Sequence, residues 1–291
     1  MSDHRRRVAH RRGADRSLEQ LAFDAAAGDA DALEAVLHEL RDPVYALALR
    51  FLGNRHDAED ATQEILVRIA TRLSTFEGRS KLTTWAHTVA TRMLLRSAAS
   101  RTESSVRGAD DFAAFLDANL ATEDFPADEA EYRELCEEVR ISCTYGMLLC
   151  LSRPLRAAYL LGDVLSVTDV EGAEILECSP AAFRQRLARS RAILRRIIEG
   201  RCGVVDPSNA CSCGRQIQGS LDAGIMQRNH LDFQRHLRTG EPTVLLDPAR
   251  FERAADQIET VVEIGNLYRR DRFATPTAVW ERVQAALPDV L

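Results

Sequence analysis

The stretch from Gly53 to Arg96 leaves the chain little freedom in how it folds. Ala58, Ala61, Ile65, Ile69, Leu73 and Phe76 recur every three or four residues, the spacing that lays one apolar stripe along a helix. Gly53 can take the positive φ that ends a preceding helix, Asn54 can cap the next, and Asp57 falls in its first turn. Asp57, Asp60, Gln63 and Glu64 lie off the stripe and give this helix an acidic side. After a turn at Glu77 and Gly78 the sign reverses, because residues 79–101 carry Arg79, Lys81, Arg92, Arg96 and Arg101 and no acidic residue. Trp85 shares an apolar stripe with Leu82, Val89 and Met93, which assigns it to the core. An acidic helix thus precedes a basic one, a pattern that in an arbitrary sequence means no more than a solvated surface.

Composition narrows the fold class. At 291 residues there is room for two or three small domains. Aromatic residues make up only 6%, and Val and Ile rarely alternate with polar residues, so an all-α fold is expected. No apolar run approaches the roughly 20 residues of a membrane span, and the basic N-terminus lacks the apolar core of a signal peptide. The expectation is a cytoplasmic protein with no membrane partner. The net charge of −6 conceals a segregation, with basic residues gathered in 79–101 and 184–201 and Asp and Glu in 110–138.

Taken in order, residues 1–17 read as a disordered basic arm with almost nothing to bury. Residues 18–100 read as one helical domain, with helical spacing from Leu18 to Leu40 and again from Pro43, a proline placed for a first turn, to Leu52. Residues 101–130 hold Gly, Ser, Pro and acidic residues and are expected to form a linker. A second helical domain covers 131–200. Cys136, Cys143 and Cys150 lie seven apart there; on a straight helix that is about 10 Å each, too far to converge on a metal, so they are assigned to the core. Ser152 and Pro154 start a helix through Tyr159, and two more helices, Thr168 to Leu176 and Pro180 to Ile198, flank a turn of Glu177, Cys178 and Ser179. A pair so joined, its second member bearing Arg184, Arg186, Arg189, Arg191, Arg195 and Arg196, reads as a helix-turn-helix with Phe183, Leu187 and Leu194 inward.

The residues themselves go further than these patterns. Asp57, Ala58, Glu59, Asp60, then Gln63, Glu64, Phe76, Gly78, Ser80, Thr84, Trp85, Val89 and Ala90 closely resemble region 2 of bacterial RNA polymerase sigma factors of the extracytoplasmic function (ECF) type. Leu151, Ser152, Pro154, Arg156, Glu171, Ala173, Ser179, Phe183, Arg184, Arg186, Leu187, Arg189 and Arg191 resemble region 4, which reads the minus-thirty-five promoter element. The resemblance implies two helical domains joined by a linker that threads through the polymerase, where its acidity could mimic nucleic acid. It implies that Asp57, Asp60, Gln63 and Glu64 dock on core RNA polymerase. It implies that Arg79, Ser80, Lys81, His87, Arg92 and Arg96 hold the minus-ten DNA, with the loop Phe76 to Ser80 as pocket. It implies that Arg184, Gln185, Arg186, Arg189 and Arg191 contact the minus-thirty-five DNA. Four departures stand out: Gly172 where a branched apolar residue is usual, Glu177 in place of a turn glycine, a longer loop at Gly162 to Ser166, and Arg92 where asparagine is common.

Residues 201–291 lie beyond the common pattern and read as a small helical extension. Cys202, Cys211 and Cys213 cluster in a loop, with His230 or His236 as a fourth ligand, and three readings stand side by side: a structural zinc, a redox-responsive thiol group, or inert cysteines. Ile258, Val261, Val262 and Gly265 share a helical face within Ala249 to Tyr268, and Thr275 and Pro276 start a last helix through Leu287. This extension is expected to regulate in cis, alongside an anti-sigma factor or other regulator as partner. No cofactor is required by the sigma reading. Two rivals remain, a helix-turn-helix regulator that acts without polymerase and a zinc or redox adaptor centred on the cysteines. The chain lacks a phosphate loop, a nucleophile elbow and paired catalytic carboxylates, which ranks an enzyme last.

Overall fold

The structure, a computed structural model, describes residues 16–99, 101–233, 265, 268, 269 and 271–288. The basic arm, His236 and most of the helix expected over 249–268 lie outside them. The chain is all-α, and among the described residues regular strands are absent, with only isolated bridges such as Cys202 with Cys211. No described helix is long and apolar enough to cross a membrane. The chain divides into two units, one of residues 1–49, 56–97 and 274–291, the other of 50–55 and 98–273.

The first unit is built on α1 (Leu18–Ala26), α2 (Ala30–Leu52), α3 (Arg55–Arg72) and α4 (Leu82–Arg96), and the chain returns to it as α12 (Thr277–Ala286). The break expected near Pro43 lies earlier. Gly28, at φ +103, separates α1 from α2, and the Asp29 carboxylate caps α2 by accepting from the Ala32 amide at 3.0 Å. Pro43 sits inside α2 on its solvent side. It deletes one backbone bond, while buried Leu40, Val44, Leu47 and Ala48 carry the helix through. Gly53, at φ +65, ends α2 as expected. In α3 the core-facing residues are Ala58, Thr62, Ile65, Leu66 and Ile69. Thr62 is admitted because its hydroxyl donates to the Ala58 carbonyl at 2.6 Å.

The second unit holds α5 (Arg101–Ser105), α6 (Ala109–Ala118), α7 (Glu129–Leu149), α8 (Arg153–Tyr159), α9 (Asp169–Ile175), α10 (Pro180–Ile198) and α11 (Cys213–Asp222). Residues 101–130, expected to be bare linker, contain α5 and α6, and Ala109 and Ala113 are buried. What composition alone lacked, neighbours supply. The Gln216 amide donates to the Leu116 carbonyl at 2.8 Å and Arg215 Nε to the Ala121 carbonyl at 2.7 Å. Cys136 and Cys213 pack against a cluster of Leu135, Val139, Ile217, Met226 and Leu231. A second cluster of Ala158, Leu161, Ala173, Ile175 and Phe183 holds the helix-turn-helix together.

Candidate functional site

The acidic side of α3 lies opposite its buried stripe. At about 100° per residue, Asp57, Asp60 and Glu64 fall within one sector of about 60°, and Gln63 lies about 60° beyond it. Asp60 and Glu64 are exposed, Asp57 and Gln63 half-buried. Asp60 is answered from within the unit, since Arg282 Nη1 of α12 donates to its Oδ1 at 3.1 Å.

The loop after α3 is fixed by packing. Phe76 is buried between Phe23 and Trp85, with ring centroids 5.5 and 6.0 Å away. Gly78 takes φ +71, and a Cβ there would stand 2.8 Å from the Phe23 ring. Arg79, Ser80 and Lys81 are exposed, with Arg79 paired to Glu77 at 2.5 Å. Lys81 is the N-cap of α4 but makes no side-chain cap; Glu19 of α1 accepts from the Leu82 amide at 3.3 Å instead. Within α4, burial lowers the His87 pKa to about 4, so its imidazole is neutral at pH 7 and contributes no cation. Arg92 is half-buried and Arg96 exposed.

In the helix-turn-helix a capping box of Thr168 and Glu171 starts α9, and the Ser179 hydroxyl accepts from the Ala182 amide at 3.2 Å to start α10. Glu177 occupies the turn position that favours glycine, at φ +52. Gly172 has a partner-specific reason: a Cβ there would meet the Phe183 ring at 2.4 Å. Residues Leu160–Val164 form a π-helical turn. That turn places Asp163 to accept from Arg191 Nε at 2.9 Å and Nη2 at 2.6 Å.

The arginines of α10 are thereby sorted. Phe183, Ser190, Leu194, Ile197 and Ile198 are buried, and at about 100° per residue Gln185, Arg189 and Arg196 fall on the opposite side. Arg184 and Arg191 flank that face and are tied to Asp169 and Asp163, while Arg186 is half-buried on the other flank. Arg196, left out of the minus-thirty-five set, lies on this outward side; its guanidinium is 3.3 Å from Asp110.

The zinc expectation is corrected. Among the described residues no group of three or more His, Cys, Asp or Glu side chains is arranged to hold a metal ion. Cys202 and Cys211 are bridged through backbone, with the Gly203 amide donating to the Cys211 carbonyl at 2.7 Å. Cys211 Sγ accepts from Gln216 at 3.5 Å, and Cys213 packs with the Leu135 cluster. Burial raises the pKa of all three thiols, against the thiolate a metal requires. His230 pairs with Asp232 at 3.4 Å.

The chain is similar in sequence to known sigma factors. The family Sigma-70 region 2 matches residues 36–103. The ECF RNA polymerase sigma factor SigW of Bacillus subtilis is 25% identical over 174 residues, 58% of this chain and 90% of SigW. The ECF RNA polymerase sigma factor SigG of Mycobacterium tuberculosis is 30% identical over 171 residues, 54% of this chain and 46% of SigG. A solved sigma factor RpoE, in complex with the anti-sigma factor NepR from Bartonella quintana, overlaps 57% of this chain and 96% of that chain. Its 18% identity and TM-score of 0.37 are too loose to guide placement of elements. The chain belongs to the sigma-70 family of RNA polymerase sigma factors, in its ECF branch, whose members are regulators rather than enzymes.

Proposed function

We propose that this chain binds core RNA polymerase through the acidic side of α3 and directs it to promoters. Asp57, Asp60, Gln63 and Glu64 present carboxylates that complement a basic surface and fix register. The loop from Phe76 to Lys81, with Arg92 and Arg96 of α4, holds the minus-ten strand as it opens; unstacking a base costs a few kcal/mol, offset by pocket and phosphate contacts. His87 serves there as a neutral hydrogen-bonding group. Gln185, Arg189 and Arg196 face the upstream element, and Arg184, Arg186 and Arg191 bracket it. The observation that carries this reading is the pairing in one chain of an exposed acidic helix face with a helix-turn-helix whose outward side is basic. A regulator that acts without polymerase has no use for the first.

Run-off transcription on genomic fragments tests it, using core polymerase with and without the protein. Discrete transcripts that depend on the protein are expected. Promoter binding by the free protein as tight as in polymerase's presence, with no specific initiation, overturns it.

A further inference from the structure

The chain's last described helix is seated on α2 and reaches the face just assigned to polymerase through one side chain, Arg282. α12 belongs to the same unit as α2 and α3, and its seat is defined by named contacts. The Thr275 amide donates to Asp42 Oδ1 at 2.9 Å. The Trp280 ring stands edge-on to His38, centroids 6.2 Å apart, with the Arg41 guanidinium 5.8 Å from its centroid. Val279 and Val283 are fully buried. From this seat Arg282 reaches across to Asp60 at 3.1 Å.

We propose that α12 is a cover built into the chain, which competes with polymerase for the acidic side of α3 and must leave before holoenzyme forms. This rests on the reading of that side as the docking surface. Arg282 puts on Asp60 the kind of group a basic partner surface would bring, a positive donor aimed at the same carboxylate. The contact is also incomplete: among the described residues Arg282 Nε and Nη2 are buried without a hydrogen-bond partner, and the Asp60 side chain stays 70% exposed. Two orphaned donors oppose the pair and an exposed ion pair is weak, so the charge contact marks the face rather than locking it. What holds α12 down is the burial of Val279 and Val283 and the seat of Trp280. A partner that answers several carboxylates of α3 at once therefore displaces a helix that answers one.

The test uses the full chain and core RNA polymerase, with Arg282→Glu and Trp280→Ala as variants. If the covered form holds about four fifths of the molecules, opening it tightens apparent polymerase affinity about fivefold, and both variants should show this in an equilibrium titration. Hydrogen exchange of the unaltered chain gives an independent readout, since amides of 277–286 should lose protection when polymerase is added. Variants that bind no tighter than the unaltered chain, or weaker, with 277–286 still protected in the complex, overturn the cover while leaving the docking surface standing. If no form of the chain binds polymerase, the docking surface falls and the cover with it.

Discussion

The carboxylates of α3 and those between Glu103 and Glu138 differ in what answers them. On α3, Asp60 and Glu64 point outward, and the single ion pair described at Asp60 comes from a helix that folds back onto it. In the second unit several acids are answered from within the fold, although Asp110, Asp111, Asp117, Glu123 and Asp128 stay exposed. Glu103 accepts from Arg153 Nε at 3.0 Å and Nη2 at 2.7 Å and lies 3.2 Å from Arg156. Asp117 meets Arg201 at 3.1 Å, Glu137 meets Arg140 at 2.6 Å, and buried Glu138 accepts from the Asp232 and Phe233 amides. Composition treats both as acidic surface. The difference is whether folding brings a donor to the carboxylate or leaves it for a partner, and only the first kind contributes to stability.

The sharpest way to break this comparison is to remove a cation on which the inward acids depend. Arg156 is 1% exposed and donates to the Leu148 and Leu151 carbonyls at 2.9 Å each as well as facing Glu103. Arg156→Ala removes this buried donor and should cost about 3–5 kcal/mol of unfolding free energy, read by denaturant titration. A loss below 1 kcal/mol would place these acids with the outward ones. On α3 the expectation inverts. Glu64→Arg should leave unfolding within about 0.5 kcal/mol of the parent and weaken polymerase binding about tenfold, the effect of losing one interfacial charge and adding its opposite.

The smallest effect is a pH dependence. Burial works against the Glu103 carboxylate, but the Arg153 hydrogen bond and the Arg156 and Arg153 charges outweigh it and lower its pKa below 4.5. A depressed folded pKa contributes stability that is present above the unfolded value and lost as pH falls through the folded one. The second unit should therefore lose part of its stability as pH drops below about 4.5, and Glu103→Gln should flatten that slope in acid denaturation followed by circular dichroism. An unchanged slope would mean that the carboxylate is bonded no better folded than unfolded.

Much of the fold was legible because it rests on periodicity and caps. The Gly53 terminus and the Ser179 start of α10 are local signals, and each is where the spacing put it. The α3 stripe takes in Thr62 and Leu66 rather than Ala61, and α12 starts one residue late, with Pro276 as its N-cap. Three things were not legible, each because its cause lies outside the segment. Pro43 does not end a helix when its own side faces solvent and a long apolar face continues past it. The acidic stretch after Ser100 folds because Arg153, Arg201, Arg215 and Gln216 come to it from 50 to 100 residues away. The three clustered cysteines suggested a ligand set by type, but whether thiols converge is decided by backbone geometry that residue type does not encode. Within the candidate site, a wheel was enough to put Gln185, Arg189 and Arg196 outward, whereas the restraint of Arg184 and Arg191 depended on Asp169 and on the π-turn that delivers Asp163.

The meeting of Gly172 with Phe183 bears on how this protein could be re-engineered. The empty position on α9 and the ring on α10 are one choice written in two helices, because the ring fills the volume that a side chain at 172 would need. A reading helix borrowed from a relative with a smaller residue at 183 would sit above a void, and a bulkier residue at 172 would be shut out by the resident ring. If α10 reads the promoter as proposed, the smallest transferable unit in this chain is α9 and α10 together, with positions 172 and 183 exchanged as a pair.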